Sequence, residues 1–498
     1  MASTSPKFEP AVRLPATLAI GFTGHRNLPH EARSRDAIRK TLLEWKSKAP
    51  GPVYGVSSAA SGGDLLFAET CLELKLPIRI FLPLPREKFR DDFDEDSWHR
   101  AEAVMAKALS VEVTGDGEKP AERYYECGIE TVQQSQILIA LWDGGPSQGL
   151  GGTADMVHYS RELGRPVIWI HSVTGAVHSF HENPELLHDP ELRYLNELPD
   201  LGVAAPGGAP HNLARAWFTK LDENASRVAP QFRRMAAIPI FCTAVAALLS
   251  GKAGFLSGSV VWLWMGTALG VIAASLPTLL RLGRRQVGWT RVRTAAEICR
   301  SCLALWNTPA LYEVVGPEVV PDLAGMLVSL NFLKLSDRTA RLNSLADFKR
   351  HYRDERVQHQ ITYFSRHAMQ AANSARYYRA ATWASTTVAI ALDFLLVLNA
   401  HGWNHWVTTR WRPELALAVA LCFQLATVAG SLVVIYDYVR RRDRYREMHR
   451  MLLQWDKQLE LAETWPVALR IANTVEKSLL AELIEWRSHI RHQKLPQK

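Results

Sequence analysis

The sequence predicts a doubly wound α/β domain with a parallel sheet at the N-terminus, followed by an all-α transmembrane region of two helical hairpins with cytoplasmic helices. Three observations carry that expectation. From residue 17 to about 171, short apolar runs alternate with helix-like segments, the pattern of strands buried on both faces by crossover helices. Further on, four long segments are nearly free of charge, each of a length to be compared with the ~20 helical residues that span a bilayer. Arginines crowd the outer flanks of those segments. At 498 residues the chain is also too long for one core, since single cores stop growing near ~250–300 residues.

In chain order, Thr17–Thr23, Val53–Ser57, Ile78–Leu82, Ile137–Trp142 and Val167–Ile170 read as strands. Ligands of doubly wound sheets bind at the carboxyl ends of the strands, and those ends are rich in glycine and polar residues here. The first runs into Gly21-Phe22-Thr23-Gly24-His25-Arg26, where glycine allows backbone approach and His25 and Arg26 offer donors. After the second comes Ser57-Ser58-Ala59-Ala60-Ser61-Gly62-Gly63-Asp64. Its glycine pair suits a tight strand-to-helix turn, and Asp64 is either a helix cap or a ligand acceptor. The third ends in Leu82-Pro83-Leu84-Pro85, followed by Arg86, Lys88 and Asp92. The fourth gives Trp142-Asp143-Gly144-Gly145 and then Gly149-Leu150-Gly151-Gly152-Thr153-Ala154-Asp155. Glycines, free amides and Thr153 converging on a helix start make this last loop the strongest phosphate-site signal in the chain.

The apolar segments are Met235–Ser250, Phe255–Leu280, Ala380–Ala400 and Leu415–Tyr436. The first reaches spanning length only if it runs on toward Leu256 with Lys252 snorkelling. Cytoplasmic flanks carry the Lys/Arg excess. Arg227, Arg233 and Arg234 precede the first segment; Arg281, Arg284, Arg285, Arg291 and Arg293 follow the second. Arg376 and Arg379 precede the third, and Arg440, Arg441, Arg442, Arg444 and Arg446 follow the fourth. The opposite loops hold Lys252, Arg410 and Arg412, so both hairpins are expected to enter and leave from the cytoplasm. The outer-loop Trp403, Trp406 and Trp411 suit a membrane interface. The net charge of +8 is accounted for by these arginines, and no nucleic-acid partner is expected. No signal-peptide pattern opens the chain, which places the N-terminus in the cytoplasm.

Asp393 falls near the middle of the third segment, where an ionisable group is a functional candidate by default. The alternative is a protonated Asp393 bonded to Gln424 across the hairpin. Val357, Ile361, Phe364, Ala368, Ala371, Ala375 and Tyr378, and separately Tyr445, Met448, Leu452, Trp455, Leu459 and Ala462, recur at spacings of three and four, which predicts coiled-coil-like packing within or between subunits. Six cysteines are scattered. Cys299-x-x-Cys302 lacks a second pair at zinc spacing and reads as two small residues on one helix face.

On the GFTGHR, SGGD, LPLPREKFRDDF, ALWDG and GGTADMV stretches, residues 15–175 resemble the SLOG superfamily. These are Rossmann-like domains that include the lonely-guy phosphoribohydrolases and bacterial sensors of nucleotide signals. The membrane half is similar to SLATT effector modules of bacterial conflict systems, best over Tyr352–Tyr378 and the hairpin after it. The resemblance implies residues 1–175 as a nucleotide-binding domain, 176–205 as a linker, 206–345 as a first hairpin (235–280) with cytoplasmic helices, and 346–498 as a second (380–436).

It implies a sensor of a nucleotide second messenger, a cyclic nucleotide or an ADP-ribose derivative, with no cofactor or metal. The sensor would be coupled to a pore-forming or membrane-disrupting effector in antiphage defence. A homo-oligomer in the bacterial inner membrane, both termini cytoplasmic, is the expected form. The expected ligand-binding residues are Gly24, His25, Arg26, Ser61, Gly62, Gly63, Asp64, Arg86, Asp143, Gly151, Gly152, Thr153 and Asp155, with Asp393 and Gln424 in the membrane. The lonely-guy enzymes carry a glutamate three residues after the Thr of their Gly-rich loop; here that position is Met156 and only the neighbouring Asp155 is acidic. The rival reading is a membrane-tethered nucleotide hydrolase with Asp155 as general base. A transporter is disfavoured because the helices lack Gly/Pro-interrupted pairs.

Overall fold

The computed structural model describes residues 12–115, 117, 119–147, 149–180, 189–202, 208–252, 260–282, 285–316, 319–337, 344–401 and 411–492. Arg284, Trp403, Trp406, Arg410 and the start of the segment expected at Phe255 lie outside the described residues. The chain forms two units, Met1–Lys220 with Pro309–Arg341, and Leu221–Thr308 with Leu342–Lys498.

The first unit is built on seven strands: β1 (Leu18–Gly24), β2 (Val53–Ser57), β3 (Ile78–Leu82), β4 (Ser110–Val113), β5 (Ile137–Trp142), β6 (Val167–His171) and β7 (Val177–Phe180). Their order is β4-β3-β2-β1-β5-β6-β7, with every neighbouring pair parallel except β6 and β7. The expected doubly wound sheet is therefore present, and its strand order reverses between β1 and β5. Strands β4 and β7 escaped the apolar-run criterion because both are short edge strands with half or more of their positions exposed, as sheet edges commonly are.

One sheet face is covered by helices α1 (Glu31–Lys48) and α2 (Gly63–Glu73). The short α3 (Arg86–Phe89) then leads to α4 (Glu95–Met105), which covers the same face. Phe22 of β1 stacks on Phe67 of α2 with centroids 4.6 Å apart, and Ile38, Leu42, Leu66 and Val104 complete this core. A fully buried side chain of this size contributes about 1.5–3 kcal/mol. The other face carries α5 (Pro120–Gln133) and α6 (Thr153–Glu162), with Val132, Met156 and Val157 against Leu138 and Val167.

The stretch expected as a linker, 176–205, holds β7 and the short helix α7 (Pro190–Asn196). Helix α8 (Pro210–Lys252) follows, then α9 (Val260–Leu282), α10 (Arg285–Ala304) and α11 (Ala324–Ser336). Pro309–Arg341, expected with the first hairpin, belongs instead to the first unit. The physical reason is the apolar side of α11: Phe332 stacks on Tyr54 of β2 at 5.5 Å, and Ser329 Oγ accepts a hydrogen bond from the Thr17 amide at 3.2 Å. Arg79, in the middle of an otherwise apolar strand, is fully buried. It donates to both carboxylate oxygens of Glu112 at 3.2 and 2.9 Å and to Gln134 at 3.0 Å, which satisfies the charge.

In the second unit, α12 (Leu345–Tyr352) passes through a π-helical turn, Arg353–Val357, into α13 (Gln358–Ala400). It is followed by α14 (Arg412–Ile435), α15 (Tyr438–Leu461) and α16 (Trp465–His492). Contacts of Arg353 with Asp456, Phe364 with Tyr445 and Tyr378 with Tyr438 show α13 running antiparallel to α14 and α15 as one long pair. The expected seam lies within one chain: Val357, Ile361, Phe364, Ala368, Ala371 and Ala375 are buried, as are Leu452, Leu459 and Ala462.

Two helical stretches, Leu345–Ala400 and Arg412–Leu461, are long and apolar enough to cross a membrane. Only 6% and 17% of their most apolar windows is buried, so they are not core helices of the unit. Ala237–Lys252 and Val260–Ser275 are shorter apolar helical stretches. Cys299 and Cys302 are buried on α10, and burial raises the Cys299 pKa, as expected of inert, structural cysteines.

Candidate ligand-binding site

A cleft of about 690 Å³ opens at the carboxyl ends of β1 and β5, where the strand order reverses and open α/β sheets place their ligands. Three loops build it. The loop after β1 is pinned to β5 by the His25 amide, which donates to the Leu141 carbonyl at 3.1 Å. The imidazole then reaches across: Nε2 accepts from the Asp143 amide at 3.1 Å and lies 3.1 Å from Asp143 Oδ1. Asp143 Oδ1 also accepts from the Gly145 amide at 2.8 Å. That amide, followed by His25, holds the Asp143 carboxyl below the usual carboxylate range.

The loop after β2 approaches the first backbone to backbone. Gly62 has φ +92°, and a Cβ there would collide with the Arg26 carbonyl oxygen, so only glycine suits both the dihedral and the space. The Gly63 amide donates to the His25 carbonyl at 2.9 Å. The turn before them is sharp enough to hold Ala59 at φ +53°, a conformation that costs an L-residue about 1–2 kcal/mol. This turn presents Asp64, whose Oδ2 accepts from Ser58 Oγ at 3.0 Å. Burial pushes the Asp64 carboxyl up to about 7, against the hydrogen bond from Ser58 and the charge of Arg26. The residue keeps partial exposure and lines the cleft, which makes it the one carboxyl here poised to change charge near neutral pH.

The loop after β5 leads into α6. Gly151 has φ +85°, and a Cβ there would stand 2.8 Å from the Tyr125 backbone, so this loop lies directly on α5. Gly151, Gly152 and Thr153 border the cleft at the first turn of α6, where unpaired helix amides favour an anion. Asp155 is directed away from that role: its Oδ2 accepts from the Gly151 amide at 3.0 Å and from Ser147 Oγ at 3.1 Å. It fixes the loop.

Of the expected ligand residues, Gly24, His25, Arg26, Asp64, Asp143, Gly151, Gly152 and Thr153 meet at the cleft. Gly62 and Gly63 shape it from behind. Ser61, Arg86 and Asp155 do not line it; Arg86 bonds Glu102 at 2.9 Å and lies over Trp98. Tyr124, Thr131 and Ser172 line the cleft without belonging to any motif. Tyr124 comes from α5, lies 5.3 Å beneath the Arg26 guanidinium and donates to Asp92; burial, then Asp92, raises its pKa. Asp92 also receives Arg26 at 3.1 Å. Arg26 is thus half-exposed and already paired, and the cleft holds no surplus of positive charge.

Asp393 is exposed and Gln424 half-buried, and no hydrogen bond joins them among the described residues. Among the described residues no group of three or more His, Cys, Asp and Glu is placed to hold a metal ion. No known family model matches the chain, and no curated protein is similar to it at a significant level.

Proposed function

We propose that the first unit is a nucleotide sensor and that the second is a membrane effector which the bound nucleotide gates or assembles. The observation that carries the sensor is the cleft itself: about 690 Å³ at the strand-order reversal, floored by glycines and by the first turn of α6. Pockets of ~300–1,000 Å³ enclose small ligands, and the amides of such a helix start suit a phosphate. With Arg26 already paired to Asp92 and two carboxyls in the cleft, the phosphate is met by amides rather than by a cluster of cations. That favours a cyclic nucleotide or an ADP-ribose derivative over a triphosphate. Sensing is preferred to hydrolysis because Asp155, the only acid near the position of the lonely-guy glutamate, is engaged by its own loop.

The membrane half of the reading rests on exposed apolar surface: Trp383, Ile390, Phe394, Leu425 and Val434 are each more than half exposed. Contiguous apolar surface on this scale marks a membrane or partner contact. The resemblance to SLOG and SLATT proteins supports an antiphage role, a homo-oligomer and an inner-membrane location with cytoplasmic termini. Ligand can drive the change only through different affinities for two arrangements.

The test is thermal stability of the purified chain against cyclic mononucleotides, cyclic dinucleotides, ADP-ribose and nucleoside monophosphates, with chromatography of products. Stabilisation by a cyclic nucleotide or ADP-ribose without turnover, lost when Gly152→Leu fills the glycine approach at the start of α6 and followed by leakage of reconstituted vesicles, is the expected result. Cleavage of nucleoside monophosphates, or no stabilisation by any of them, would overturn it.

A further inference from the structure

Where α13 passes α14 and α15, the side chains change character within two helical turns. On one side stand exposed apolar residues, Trp383 at 73% and Val434 at 76% exposure. Below them Tyr378 stacks on Tyr438, centroids 5.8 Å apart and planes 15° from parallel, and Tyr377 is 70% exposed. At the same level Arg376, Arg379 and Arg440 are exposed. Neither Arg379 nor Arg440 has a carboxylate partner among the described residues. Over 376–379 and 436–446 there are seven arginines against Asp437 and Asp443, and Asp443 is taken by Arg442 at 2.8 Å. The tyrosine stack brings the two arginine groups, far apart in sequence, to one level of the helix pair, where they make a basic collar.

We propose that this collar binds the phosphate headgroups of anionic phospholipids. Two features favour that occupant. The collar is continuous with the exposed apolar surface, so a lipid whose chains lie along Trp383 and Val434 sets its headgroup at the arginines. Exposed tyrosines at that level match the amphipathic ring position at a membrane interface, and a basic cluster there attracts anionic lipid by charge. The inference rests on the membrane reading above and adds a lipid preference to it.

The experiment uses the full chain reconstituted in phosphatidylcholine vesicles, with phosphatidylglycerol or inorganic phosphate added at equal charge. Lipid retained by the purified protein is then quantified for the wild type and for the triple variant Arg376→Gln, Arg379→Gln, Arg440→Gln. Each basic residue near the surface is worth about fivefold, so the triple variant should lose roughly a hundredfold in phosphatidylglycerol preference. It should still float with phosphatidylcholine vesicles after alkaline washing. An unchanged preference in the variant, or displacement of phosphatidylglycerol by inorganic phosphate, would refute the collar. A wild type that fails to float would instead refute the membrane reading itself.

Discussion

Asp64→Asn tests whether the cleft encloses its acid as the geometry states. The carboxyl moves from an ordinary 3.8 to about 7 on folding, so between those values the folded state holds a proton that the unfolded chain has lost. Stability then falls as pH rises, since it grows with pH only where the unfolded state binds more protons. The contribution is complete below pH 3.8 and is lost by the time pH passes about 7. Three units at ~1.36 kcal/mol each give about 4 kcal/mol as the full span. Asparagine keeps an acceptor for Ser58 and removes the titration, so the variant should match the wild type near pH 4 and exceed it by up to that amount at pH 8.5. For a unit of this size the difference is roughly 8–16 °C in the melting of the first unit, read by calorimetry across pH 4–9. Parallel stability curves for the two proteins would show that Asp64 is solvated and that the cleft is more open than described.

Other perturbations separate backbone geometry, buried charge and topology. Gly62→Ala places a Cβ against the Arg26 carbonyl at a positive φ and should lower first-unit stability by more than about 2 kcal/mol. Gly149→Ala, with nothing within 4 Å of the added carbon, should stay within about 0.5 kcal/mol, and equal effects in denaturant titrations would contradict the loop geometry. Glu476→Gln removes the partner of the buried Arg356, bonded at 2.9 and 2.7 Å, and should cost about 3–5 kcal/mol, most of it recovered in Arg356→Met with Glu476→Leu. Loss of less than 1 kcal/mol in thermal unfolding would mean that water reaches the pair. Reporters fused after Arg285 and at the C-terminus should both read cytoplasmic, and a periplasmic signal from either would break the two-hairpin topology.

Much of the first unit was legible because its central strands are continuous apolar runs: β2, β3 and β5 fall on their expected residues. Edge strands were not, because a short strand with half its side chains in water has no such run. The three loops were visible for a local reason, glycine and polar residues following a strand. What they enclose was not local. The state of Asp64 depends on the Arg26 loop folding over it, and Tyr124 reaches the cleft from a helix whose sequence shows only amphipathicity. In the second unit the apolar seam was periodic and therefore readable. The charges beside it were not, since Arg353 meets Asp456 and Arg356 meets Glu476 across separations of 103 and 120 residues.

Those long-range pairs divide the helix pair into parts of unequal strength. Toward α12 the seam holds Ile361, Phe364, Leu452 and Leu459, each worth about 1.5–3 kcal/mol when buried, and it is locked by Arg353 on Asp456 and Arg356 on Glu476. Toward the apolar end the buried positions are Ala389, Ala426 and Ala429 together with Val419 and Leu432; the alanines allow close approach but offer little area. Between the two parts, Asp437 takes a left-handed conformation at φ 48°, ending α14 before α15 begins. A rearrangement confined to α14 and the apolar end of α13 breaks neither ion pair and disturbs the contacts of these alanines and of Val419 and Leu432. One that separates α13 from α15 must expose the large side chains and break the pair of Arg353 with Asp456. Energetically the first costs less, because it leaves the pair of Arg353 with Asp456 intact, and Asp437, outside helical geometry, stands at the boundary between the two parts.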